Sequence, residues 1–175
     1  MKKTFPLAFS AVLAALSLVL LLLTGVVPVG TYAFPCIAGA LLSAVVIEAG
    51  YPLAVSCYVV VSVMAFFLVA DKEAVLYYIC FLGFYPVLKG LIERIQSRVF
   101  QWIIKYLVFN VCIIGAFFAG MYLLNIPKES FELFGVYLPW VFLLAGNFIF
   151  VIYDLCLTRI ISAYVNIWRK RIKFK

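Results

Sequence analysis

The segment from Asp71 to Lys105, DKEAVLYYICFLGFYPVLKGLIERIQSRVFQWIIK, limits what this chain can fold into more than any other. It opens on Asp71-Lys72-Glu73, read as a short charged loop, runs through an apolar stretch, and places Lys89 and Glu93 four apart on one helical face. It then turns at Gln96-Ser97-Arg98 and re-enters apolar sequence that carries Lys105. Roughly eight residues separate the turn from each lysine, which sets both about 12 Å along their helices. A lysine at that depth in hydrocarbon is costly unless it meets a carboxylate or a wet cavity. The pattern is that of a membrane hairpin with charge inside it.

Composition argues against a soluble alternative. Only 12% of the 175 residues are charged, against about 25% in ordinary soluble domains, while 68% are hydrophobic. A water-soluble globule of this length has too much surface for its volume to hide that apolar content. The apolar runs approach the ~20 residues that a helix needs to cross a bilayer. Transmembrane strands would instead alternate over about ten residues with polar lumen positions, and no such alternation is present.

The net charge of +7 is a topology signal rather than a nucleic-acid footprint, because lysine and arginine gather at the two termini and in one loop. The basic end Arg169-Lys170-Arg171-Ile172-Lys173-Phe174-Lys175 suits anionic headgroups. Cys36, Cys57, Cys80, Cys112 and Cys156 are scattered singly through apolar runs and read as small packing residues. With no CxxC pair and no histidine, the chain offers almost no ligands for zinc or haem, so neither a metal nor a cofactor is expected.

Taken in order, Met1-Lys2-Lys3 and the run 5–23 read as an uncleaved first helix rather than a secretory signal, since the run is long and no small-x-small site follows. Its small residues Ala8, Ala11 and Ala15, with Ser10, Ala14 and Ser17 beside them, let another helix approach closely, from within the chain or from outside it. Gly25-Val26-Val27-Pro28-Val29-Gly30 forms an outer loop. The second helix covers 32–47 with Pro35 in about its first turn, and Glu48-Ala49-Gly50-Tyr51 is the inner turn. The third helix covers 52–70. The fourth covers 74–94, kinked at Gly83 and Pro86. The fifth covers 99–124 with small-residue pairs Gly115/Ala119 and Ala116/Gly120. After a long outer loop from Asn125 to Glu132, the sixth covers 136–157. Residues 159–175 read as a basic amphipathic continuation along the inner surface. Six crossings and the distribution of cations place both termini in the cytoplasm, with residues 1–175 forming a single domain. Trp102, Trp140 and Trp168 fall near helix ends, as an aromatic belt requires.

Two constellations stand out. Glu48, Lys89, Glu93, Lys105 and Asp154 collect in the inner half, either as ion pairs and snorkelling lysines that hold the helices in register or as the lining of a proton or substrate path. Nearer the midplane, Tyr85, Asn110 and Asn147 share a depth, with Tyr32, Phe34, Tyr77, Tyr78 and Asn125 toward the outer face. These are candidate substrate contacts, or hydrogen-bonding links between helices. The chain contains no GxxxxGK[ST] loop, no GxSxG elbow and no serine–histidine pair, so catalytic residues are not expected.

Six helices in fewer than two hundred residues, Ala11-x-x-x-Ala15 on the first, Val27-Pro28-Val29-Gly30 in the first outer loop and a basic cytoplasmic end together resemble the substrate-binding S components of energy-coupling-factor (ECF) vitamin transporters. The resemblance covers most of the chain. It implies an all-α bundle of six transmembrane helices in a bacterial inner membrane, with Ala11 and Ala15 docked on a transmembrane coupling subunit. Two separate ATPases would then supply the energy. It also implies a vitamin or other small molecule held near the outer face, close to Tyr32. The alternative is a scaffolding protein of the cell envelope, similar to small six-helix rod-shape proteins. On either reading the partners are membrane lipid and other proteins, not nucleic acid.

Overall fold

A computed structural model of the chain describes residues 4–27, 30–123, 132–133, 136–137 and 139–168. Three long helices come first: α1 (Thr4–Leu23), α2 (Gly30–Ala49) and α3 (Tyr51–Leu68). The fourth span is built in pieces, α4 (Lys72–Tyr77), a π-helical turn (Tyr78–Leu82) and α5 (Tyr85–Ile92). α6 (Arg98–Leu123) and α7 (Pro139–Ala163) follow, with a second π-helical turn (Tyr164–Trp168) at the end of α7. Among the described residues six stretches are long and apolar enough to cross a membrane: Thr4–Leu23, Gly30–Ala49, Tyr51–Leu68, Lys72–Ile92, Arg98–Tyr122 and Leu143–Ile167. That is the pattern of an all-helical multi-pass membrane protein. Successive spans alternate in direction, so Thr4, Gly50, the turn after Glu93 and Ile167 share one end, here called the base. The turns after Leu23 and Leu68 and the far end of α6 share the other, the top.

Several boundaries differ from the sequence expectation for local reasons. Asp71-Lys72-Glu73 is not a loop. Asp71 caps α4, its Oδ1 accepting the Ala74 N–H at 3.0 Å, and Lys72 already lies in the helix. α2 begins at Gly30, which puts Pro35 inside the helix, past its first turn. Val136, expected in the last helix, instead pairs with Leu133 in a two-residue antiparallel ribbon, and α7 begins at Pro139, whose fixed φ suits a first helical position. At the other end α7 runs through Arg159 without a break. Met1–Lys3, Pro28 and Val29, Asn125, the rest of the expected outer loop to Phe131 and the basic run Arg169–Lys175 lie outside the described residues.

Gly50 makes the α2–α3 turn at φ 87°, a left-handed conformation that glycine alone adopts freely. Pro86 shapes the fourth span. It has no N–H to return to the Leu82 carbonyl one turn earlier, and the π-helical turn ends there. A Cβ on Gly39 of α2 would overlap that carbonyl, so the missing side chain lets the two backbones meet where the span is broken.

Among the described residues three apolar clusters hold the bundle together. Toward the top, Leu21, Ala38, Val61, Ala65, Val69 and Val75 pack around Tyr78. Toward the base, Leu42, Val45, Ala54 and Val87 join α2, α3 and α5. The third joins the fourth span to α6 and α7 through rings: Phe81 and Tyr85 lie 4.6 Å apart, as do Phe109 and Phe150, both pairs stacked. Two buried serines of α1 find carbonyl partners. Ser17 donates to the Ala38 carbonyl across α1 and α2 at 3.1 Å, and Ser10 returns to the Pro6 carbonyl of its own helix at 2.7 Å.

Candidate functional site

The most built-up polar site lies in the base half, where α5, α6 and α7 meet. Lys89 is one turn before the end of α5, and Glu93 follows on the same face, 2.8 Å away through Oε1. The same Oε1 accepts Lys105 from α6 at 2.9 Å. Asp154 of α7 closes the ring: its Oδ2 accepts Lys105 at 3.0 Å, and its Oδ1 accepts Lys89 and the Tyr85 hydroxyl. Two cations face two carboxylates, so the cluster is neutral. Lys89 is 0% exposed and Lys105 and Asp154 are nearly so, which makes pairing obligatory, because a lone charge at such a site is prohibitively desolvated. The Glu93 side chain is 37% exposed and opens the cluster toward the base. Burial pushes the Glu93 carboxyl up, but the two ammonium groups outweigh it and hold it below its ordinary value.

Four of the five residues expected in an ionic cluster are therefore in contact. Glu48, near the end of α2, takes no part in these four pairs. Tyr85, expected among midplane substrate contacts, is fully buried, belongs to the ring, and gives its hydroxyl to Asp154.

Asn110 and Asn147 do come together. Each amide donates to the other's oxygen at 3.0 Å and to a carbonyl four residues back, Tyr106 and Leu143 respectively, both at 2.8 Å. With both N–H donors of each amide engaged, the pair ties α6 to α7. Tyr78 is buried in the upper apolar cluster, and its hydroxyl has no partner among the described residues. Phe34 is half-buried against Gly30. Tyr32 is 59% exposed at the top, donates to Glu73 at 2.9 Å and lies 5.4 Å from the ring of Tyr77. Beside it Thr31 donates to Asp71 at 2.9 Å, so the start of α2 is bonded to the start of α4.

The small residues of α1 divide between two faces. Ser10 and Ser17 are buried, with Ala14 half-buried, on the side that packs against α2 and α3. Ala8, Ala11 and Ala15 are exposed on the other. Two surface grooves flank the fourth span. One of about 260 Å³ is lined by Ser62, Val63, Phe66, Phe67 and Ile79, and one of about 220 Å³ by Val55, Tyr58, Phe84, Val87, Leu88 and Leu91. None of the expected site residues lines either.

Comparison with known protein families, with curated proteins and with solved structures finds no match to this chain. The functional reading rests on the chain's own chemistry.

Proposed function

We propose that this chain is the membrane-embedded, substrate-binding subunit of a transporter for a vitamin or other small molecule, energised by a separate coupling subunit and ATPases in the manner of energy-coupling-factor systems. On this reading it sits in a bacterial inner membrane with both termini in the cytoplasm, and it carries out no catalysis itself. The observation that carries the reading is the outward set of Ala8, Ala11 and Ala15 on α1. The buried side of that helix already has its partners in α2 and α3, and small side chains on the free side allow a further transmembrane helix to approach backbone to backbone. The top end supports the same reading. Tyr32, Tyr77 and Glu73 form an aromatic and carboxylate surface next to the first loop, where a molecule arriving from outside would be captured. Lacking a phosphate-binding loop, the chain must draw the energy for uphill transport from elsewhere.

One observation favours a scaffold instead. Phe81, Tyr85, Phe109 and Phe150 fill the interior between the fourth span, α6 and α7, at the depth where many carriers hold their cargo. Purification from native membranes separates the two readings. The transporter reading expects a bound small molecule in the mass spectrum and ATPase subunits in the eluate, and it expects Ala11→Leu to lose those subunits while the isolated bundle melts as before. A protein that elutes without small molecules, accompanied only by envelope-assembly factors in wild type and variant alike, contradicts it.

A further inference from the structure

Glu93 differs from its partners in the ionic ring. Lys89, Lys105 and Asp154 are walled in, whereas Glu93 stands just past the last turn of α5 with its side chain open to the base. One of its oxygens takes both ammonium groups, at 2.8 and 2.9 Å. Removing that carboxylate leaves Lys89, Lys105 and Asp154 with a net positive charge in a buried site, a state that demands an anion. The following turn is basic and exposed at Arg94 and Arg98, with the Arg94 guanidinium over the Tyr51 ring of α3. Trp102, half-buried and with its ring 5.2 Å from Lys105 Nζ, is of the residue type that settles at headgroup level.

We propose that the position of the Glu93 carboxylate is an oxyanion site, in which a phosphate group exchanges with Glu93 for the two lysines. Lysine ammonium groups act as point charges and set no planar requirement, so a tetrahedral phosphate can place one oxygen where Oε1 now lies. Its remaining charge then faces the open base end of the cluster, where the Glu93 side chain is now exposed. Glu93 is the built-in occupant that keeps the lysines neutralised until the phosphate arrives. The phosphate comes either from an anionic phospholipid at the base surface or from solution. The site does not depend on the transporter reading.

The test compares wild type, Glu93→Ala, and Glu93→Ala combined with Lys105→Met in bilayer discs. One set of discs is pure phosphatidylcholine, with or without inorganic phosphate at matched ionic strength. The other contains phosphatidylglycerol and no added phosphate. Glu93→Ala is expected to melt below wild type in phosphatidylcholine. A headgroup ligand then restores at least half of the lost melting temperature in phosphatidylglycerol, whereas a free ligand raises it with the logarithm of phosphate concentration. Adding Lys105→Met removes the recovery. Glu93→Gln goes through the same comparison, so that the isostere decides the outcome where the alanine variant does not fold. Melting that neither anion source raises, or a recovery equally large in the double variant, overturns the proposal.

Discussion

Asp154 anchors the ionic ring, because both of its oxygens are taken and three donors from two other helices converge on it. Asp154→Asn leaves two buried ammonium groups with a single carboxylate, so the expected loss is about 3–5 kcal/mol of unfolding free energy. Glu93→Gln removes the partly hydrated carboxylate and is expected to cost clearly less. Denaturant unfolding in detergent measures both, and equal losses would contradict the difference in burial. Glu93 also sets a pH dependence. Its folded carboxyl ionises more readily than in the unfolded chain, so its stabilisation is present above the unfolded value of about 4.3 and disappears as pH falls through the lower folded value. Melting temperature is expected to drop across that acid range in wild type and to drop less in Glu93→Gln; identical acid profiles would count against it. Much of the ring is legible in the sequence: Lys89 and Glu93 share a face, and Lys105 lies at matching depth on the next helix. Tyr85 is not, because its partner lies 69 residues away and one ring in a chain that is 18% aromatic carries no periodic mark. Glu48 looks equally eligible in the sequence for a related reason. Depth can be counted along a helix, but the direction in which its end faces depends on packing.

The fourth span is the element on which the lower bundle turns. Its upper part is capped by Asp71, its middle is broken above Pro86, and its lower part is fixed by the ring on one side and by the Arg94 guanidinium on the Tyr51 ring, 4.9 Å away, on the other. The break is stabilised where Gly39 meets the Leu82 carbonyl. Gly39→Ala forces α2 and the fourth span apart at that point, with an expected cost of about 1–3 kcal/mol. Gly115→Ala on α6, where a new Cβ meets nothing within 4 Å, is expected to change stability little. Detergent melts of the two variants check this, and equal stability would show that the contact is not tight. Gly83 and Pro86 announce the break in the sequence. The π-helical turn is hidden, since nothing local distinguishes a π from an α turn once the neighbouring helix supplies the contact. The helical start at Asp71-Lys72-Glu73 passes for a loop because three charges in a row look solvated, although aspartate just before a helix is a favoured cap.

At the scale of the whole molecule, the number of spans is readable because hydrophobic length is a property of the sequence alone. The order of packing is not. Side chains facing lipid and side chains facing the core are equally apolar, so nothing in the sequence of α1 says that it buries Ser10 and Ser17 while exposing Ala11 and Ala15. Every functional assignment made for the base and the top depends on an even number of crossings. Single cysteines introduced by Lys3→Cys, Lys72→Cys and Lys175→Cys in a cysteine-free background, probed with an impermeant thiol reagent, measure that directly. The account predicts that in intact cells position 72 reacts while positions 3 and 175 react only after the membrane is opened. Labelling of 3 and 175 from opposite faces would contradict it.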